Sequence, residues 1–230
     1  MPPEEESARF AGFLGNETCK LVQRVFLAPG PKTLRTVVFS AVERSDHRDW
    51  ISAQVADLLA SSTQDSICLL DADLANPSLH AYFGVENRPG LAEALVDAAP
   101  IEGFIQPLGR GRLQLMSAGQ LPSGTDLQAL LTSGRLRARF SQLAASFPYV
   151  VVNAPPATGD FMTSYLAALT DGLILIVEPH LTSRQAACDA KENVQAAGGR
   201  VLGVVLHRRA VNFPRWMNQT FGNPKPVWNF

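Results

Sequence analysis

Glycine is missing where a chain of this kind most often needs it. The 230 residues include 17 glycines, yet none lies between Gly30 and Gly84, and no Gly-Lys dipeptide occurs anywhere. Cysteine is scarce too. Cys19, Cys68 and Cys188 lack the spacing of a metal site. Cys68 lies within the apolar run "SICLLDA" and is expected to be a small buried hydrophobe, which suits a reducing cytoplasm. Charge of one sign is also absent. A net charge of −1 and no basic run exclude an electrostatic footprint for nucleic acid and argue against a lipid surface. No apolar stretch approaches the roughly 20 residues of a membrane span. The acidic start "MPPEEESARF" is not expected to act as a signal peptide, and Glu4, Glu5 and Glu6 read as a solvated, frayed terminus.

What the chain does have is a large apolar fraction, 46% of residues, enough for a substantial core. Six segments read as strands: "TVVFSA" (36–41), "SICLLDA" (66–72), "LQLMSA" (113–118), "YVVVNA" (149–154), "GLILIVE" (172–178) and "RVLGVVL" (200–206). Most are continuous apolar runs without alternation, which means burial on both faces, as in a parallel sheet covered by helices. Helical periods lie between them. In "RDWISAQVADLLASS", Ile51, Val55, Leu58 and Leu59 share a face. "DLQALLTSGRLRARFSQLAASF" and "TSRQAACDAKENVQAAGG" keep the same period, the second ending at a Gly-Gly stop. Alternating strands and helices predict an α/β fold with a doubly wound, mostly parallel sheet and helices on both faces. Its ligands would sit beyond the carboxyl ends of the strands. The expected organisation is an N-terminal helical segment (1–33), a main domain (34–210) and an aromatic tail (211–230).

The segment "ICLLDADLANPSLHAYFGVENRPGLAEAL" resembles the stretch of bacterial tyrosine kinases of polysaccharide export (BY-kinases) that carries their second Asp motif. These kinases fall among the MinD- and ParA-like P-loop ATPases, with their P-loop NTPase-like fold. The resemblance continues in "LQLMSAGQLPSGTDLQALL", in "YVVVNAPPATGDFMTSYLAALTDGLILIVEPHLTSRQA" and in "GGRVLGVVLHRR", covering roughly Leu34 to Arg208.

The resemblance implies a nucleotide site, and three of its parts are altered. In the family, a Gly-rich loop ending Gly-Lys-Ser/Thr cradles the phosphates, and its hydroxyl ligates Mg²⁺. Here the loop maps to "VERSDHRDW". Aligned from the following helix, with Gln54 at the usual asparagine, Arg48 takes the lysine position and Asp49 the hydroxyl position, with Trp50 after it. Aligned from Ser40 and Ala41, His47 takes the lysine position. Side chains with a Cβ resist the positive φ of an anion nest, and Asp46 and Asp49 would repel phosphate. The family's Mg²⁺-orienting aspartate in the Pro-Pro motif is here Asn153, a neutral amide and a poor Mg²⁺ partner. The asparagine near the base is here His207. Asp71 and Asp73 of "LLDADL" are retained. They stand where the family's metal-binding and base-like carboxylates stand, or they hold the loop that follows. His80 is expected to be loop scaffold, His207 a strand-end residue facing solvent, and Trp50 a candidate plug of the former cavity.

The family's kinases phosphorylate a C-terminal tyrosine cluster and form rings through Glu-x-x-Arg-x-x-Arg. Tyr82, Tyr149 and Tyr165 all lie inside fold segments, and the ring motif reads Glu17, Lys20, Gln23, with Arg24 one position off. Ring assembly is therefore not expected. The tail instead crowds Phe213, Trp216, Phe221, Trp228 and Phe230 among three prolines. Those aromatics are expected either to seal a sheet edge or groove of the domain or to dock on a partner.

These features together predict a pseudo-ATPase of BY-kinase type, a regulatory or scaffold protein of exopolysaccharide synthesis or secretion. It is expected to be cytoplasmic and to need no cofactor. Its partner would be a protein, such as a membrane polysaccharide co-polymerase. Two rivals stay open: an ATP-binding tyrosine autokinase using Arg48, Asp71 and Asp73 with Mg²⁺, and a positioning ATPase of the MinD or ParA kind.

Overall fold

The computed structural model describes residues 17–29, 33–44, 48–109, 111–159, 161–179 and 181–207. His47 and the whole aromatic tail lie outside the described residues. Among the described residues, seven strands form one sheet: β1 (Thr36–Ala41), β2 (Ile67–Asp71), β3 (Gln106–Pro107), β4 (Leu113–Met116), β5 (Tyr149–Asn153), β6 (Gly172–Val177) and β7 (Val201–Leu206). Their order across the sheet is β3-β4-β2-β5-β1-β6-β7. Only the β3–β4 pair is antiparallel; every other pairing runs parallel. The predicted doubly wound α/β sheet is therefore the observed one.

The apolar runs explain this arrangement. Every residue of β1 and β2 is buried, so each strand must be covered on both sides. On one face, Val37, Phe39, Leu69, Val151 and Ile176 pack with Ile51, Val55 and Leu59 of α1 (Arg48–Ser62), and with Val22 and Phe26 of the N-terminal helical segment. On the other face lie Val38, Leu70, Val152 and Leu175. They pack under α3 (Leu91–Val96), α5 (Arg135–Ser146), α6 (Phe161–Leu169) and α7 (Arg184–Ala196). The short helices α2 (Leu79–Phe83) and α4 (Leu127–Thr132) complete the set. Cys68 is fully buried, and burial pushes its thiol up to about 12.

Two expectations need correction. The helical period over "DLQALLTSGRLRARFSQLAASF" is divided between α4 and α5, because Gly134 turns the chain at φ 80°, a left-handed value that side chains with a Cβ resist. β3 escaped the strand count because two residues, one a proline, leave no period to read. Among the described residues, no helix is long and apolar enough to cross a membrane.

Candidate functional site

Strand order decides which side chains meet. β5 lies between β2 and β1, and the parallel register sets Asn153 beside both Asp71 and Phe39. The last residues of β2 and β5 are thus neighbours at the carboxyl edge, where the turn after β1 leads into α1. Asp49 occupies the first turn of α1, where the positive end of the helix dipole favours a carboxylate.

A buried polar knot results. The Asn153 amide donates to Asp49 Oδ1 at 2.7 Å and lies 3.4 Å from Asp71 Oδ1. Its oxygen accepts from Ser52 Oγ at 3.2 Å, which fixes the amide's orientation. One NH₂ group therefore bridges two carboxylates from different elements. The single Ser52 hydroxyl proton is shared between the Asn153 amide oxygen and the Asp49 carbonyl, 3.0 Å away.

Asp71 organises the next loop. Its Oδ2 accepts from the backbone N–H groups of Ser78 and Leu79, both at 3.0 Å, and its Oδ1 from Asp73 N–H at 3.3 Å. Asp73 in turn accepts from Asn76 N–H at 3.0 Å. Burial holds the Asp71 carboxyl above the usual carboxylate range. The three backbone donors pull it down by less, and the Asp49 charge adds a further upward push. His80 sits in α2, not in a loop, with its Nδ1 buried and without a hydrogen-bond partner.

At the far side of the edge, His207 follows β7 and its backbone N–H donates to the Val177 carbonyl at 2.9 Å. Its ring lies 6.0 Å from that of Trp50, tilted by 46°. His207 is half-buried against the indole and does not stand free in solvent, which corrects the sequence expectation. Trp50 packs onto the core face shared with α1. The structure thus gathers Asp49, Asn153, Asp71 and Asp73 into one continuous network and sets His207 apart with Trp50. Ser52 was missed in the sequence because a serine one turn into a helix carries no signal of its own. Its role follows from a contact across 101 residues.

At the N-terminal segment, Lys20 Nζ and Glu17 Oε1 pair at 2.7 Å within one helix. Gln23 begins a π-helical stretch, Gln23–Leu27. Exposed pairs of this kind contribute only a few tenths of a kcal/mol.

Comparison with known proteins agrees with this architecture. The ParA family, described as NUBPL iron-transfer P-loop NTPase, matches residues 48–221. Tyrosine-protein kinase YwqD of Bacillus subtilis is 22% identical over 181 residues, spanning 79% of this chain and 75% of the kinase. The succinoglycan biosynthesis transport protein ExoP of Rhizobium meliloti is 26% identical over 179 residues. That match covers 77% of this chain but only 23% of ExoP. Among solved structures, the chimerical protein CapA2B2 superposes with a TM-score of 0.76 at 20% identity, covering 84% of each chain. At that identity the superposition speaks for the fold.

Proposed function

This chain belongs to the ParA family of P-loop NTPases, and we propose that it acts as a binding protein of the BY-kinase branch, without phosphoryl transfer. Its role would be regulatory or scaffolding, in exopolysaccharide synthesis or secretion. One observation carries the reading: the Asn153 amide sits between Asp49 and Asp71, donating to both.

A divalent cation needs oxygen ligands that face it. In this knot the group between the two carboxylates is an N–H donor. It neutralises part of their repulsion as a cation would, but it offers no lone pair toward that space. Where the BY-kinase resemblance implies a carboxylate on β5 this chain has the amide of Asn153, and where it implies a hydroxyl at the start of α1 this chain has the carboxylate of Asp49. The donor set does not fit Mg²⁺ as the family uses it. The glycine-free turn after β1 points the same way, as does the indole of Trp50 at the next residue of α1. No catalytic step is assigned to Arg48, Asp71 or Asp73.

The cellular setting is supported by what the similar proteins are, among them a tyrosine kinase and a succinoglycan biosynthesis transport protein. A partner in the cytoplasm-facing part of an export machine, such as a polysaccharide co-polymerase, suits a chain that keeps the fold and alters the site. Any membrane association would then come through that partner.

Isothermal titration with ATP and ADP, with and without Mg²⁺, tests this directly. No heat of binding up to millimolar nucleotide is expected. Micromolar affinity would overturn the reading and make the autokinase the activity to assay.

A further inference from the structure

α2 (Leu79–Phe83) has only five residues, too few for a helix to be stable by itself. It depends on what it docks against. Leu79 is the apolar anchor, fully buried in the core face shared with α1. Asp71 is the cap. Ser78 holds the N-cap position, yet its side chain makes no capping hydrogen bond. The Ser78 and Leu79 N–H groups donate instead to Asp71 Oδ2, both at 3.0 Å. The dependence is mutual. Asp71 is fully buried, and two of its three backbone donors stand at the start of α2.

Two atoms at the same end oppose this docking. Ser78 Oγ and His80 Nδ1 are buried and have no hydrogen-bond partner among the described residues. Each loses hydration when α2 docks and gains no bond in its place, so each favours a state in which α2 lifts into water. The other end of the helix is lightly covered. Ala81, Tyr82 and Gly84 are exposed. Phe83 and Val85 line a cleft of about 660 Å³ with Asp57, Ala60 and Ser61, so α2 is not packed solid on that side.

We propose that α2 and the loop before it (74–78) form a latch over the Asp71 carboxylate, which opens as a local unit without unfolding the domain. Closed, as in this structure, the latch buries Asp71. Open, it returns Ser78 and His80 to water and uncovers the acid at the edge of the sheet. Access to that acid is then governed by α2 as well as by the turn after β1. The inference holds whether or not nucleotide binds, so it and the proposed function can fail separately.

Native-state hydrogen exchange of the full chain, read amide by amide by NMR, measures the opening. The Ser78 and Leu79 amides are expected to exchange at least tenfold faster than those of Leu69 and Leu70 in β2. Low denaturant should not speed them, because a local opening exposes little surface. Ser78→Ala and His80→Leu each remove one orphaned atom and break no hydrogen bond described here. At an ordinary N-cap, replacing serine by alanine loosens the helix. Here each variant should slow exchange at residues 78 and 79 several-fold, and carbodiimide labelling of Asp71 should slow with it. Exchange of these amides at the β2 rate in the unaltered chain would overturn the latch, since α2 would then open only with the whole domain. Unchanged or faster exchange in the two variants would also overturn it, by showing that the buried atoms do not bias α2 toward opening.

Discussion

The Asn153 side chain and the Asp49 carboxylate, 104 positions apart in the chain, are joined by a 2.7 Å hydrogen bond. The same amide approaches Asp71, so it acts as the neutral clasp of an otherwise acidic strand edge. Replacing it by the isosteric acid reverses its sign. Asn153→Asp is expected to destabilise the domain by about 2–4 kcal/mol at neutral pH, since donors to two carboxylates become a third carboxylate. Thermal melts should show the loss shrinking as pH falls toward the carboxylate range. A loss independent of pH would mean that the amide's role is packing alone.

Repair of the site needs more than that one acid. His47→Gly, Arg48→Lys and Asp49→Ser, combined with Asn153→Asp, are expected to create measurable affinity for Mg-nucleotide where the unaltered chain is expected to show none. Calorimetry decides. If affinity stays absent, the turn after β1 does not correspond residue by residue to a phosphate loop.

Asp71 gives a pH dependence of defined sign. Its folded carboxyl titrates above its unfolded value because burial penalises the charge more than three backbone donors favour it. Its contribution to stability is therefore fully present below the unfolded value, about 3.9, and is lost as pH rises through the raised folded value. Asp71→Asn removes that titration but turns an amide toward the Ser78 and Leu79 donors. The variant should be the less stable protein in acid, with the gap to wild type narrowing as pH rises. Denaturant midpoints at several pH values measure the gap, and a gap that widens with pH would contradict the assignment.

Arg139 is a buried cation held by backbone carbonyls. It is 6% exposed, donates to Ala94 O at 2.7 Å, to Ala99 O at 2.9 Å and to Asp97 O, and lies over the Phe104 ring at 5.5 Å. These carbonyls lie at and just past the end of α3, where the helix dipole is negative, so the guanidinium is both a cap and a counter-charge. Arg139→Met should cost about 2–4 kcal/mol, read as a lowered Tm. Arg139→Lys should recover little of it, because a single ammonium cannot match the planar fork of donors.

Gly90 marks a close backbone crossing. A Cβ there would stand 2.2 Å from the Ser117 carbonyl oxygen, which itself accepts the Leu91 N–H at 2.8 Å. Gly90→Ala should therefore push the start of α3 off β4, at a cost of about 3 kcal/mol. Unchanged stability would show that the crossing relaxes easily.

These cases also separate what was legible in the sequence from what was not. The β5 run "YVVVNA" announced a strand buried on both faces, and the strand is observed within one residue of its predicted end. The face of α1 was also legible: Ile51, Val55 and Leu59 are buried and Leu58 is half-covered. Arg139 was not. In the helical period it reads as a polar position of an amphipathic helix, and nothing local says that it points at carbonyls some forty residues earlier. His207 was misread for the same reason, since its partner Trp50 is near in space but far earlier in the chain.

The sequence by itself determined the parallel sheet, because a continuous apolar run can only be satisfied by cover on both faces, and that requirement is local. It also determined that the turn after β1 has no glycine and that β5 ends in an amide. Only the tertiary structure decided what these changes do together. Hydrogen bonds and buried charges depend on distances between elements, and the order β2-β5-β1 brought Asp71, Asn153 and Asp49 within reach of one another.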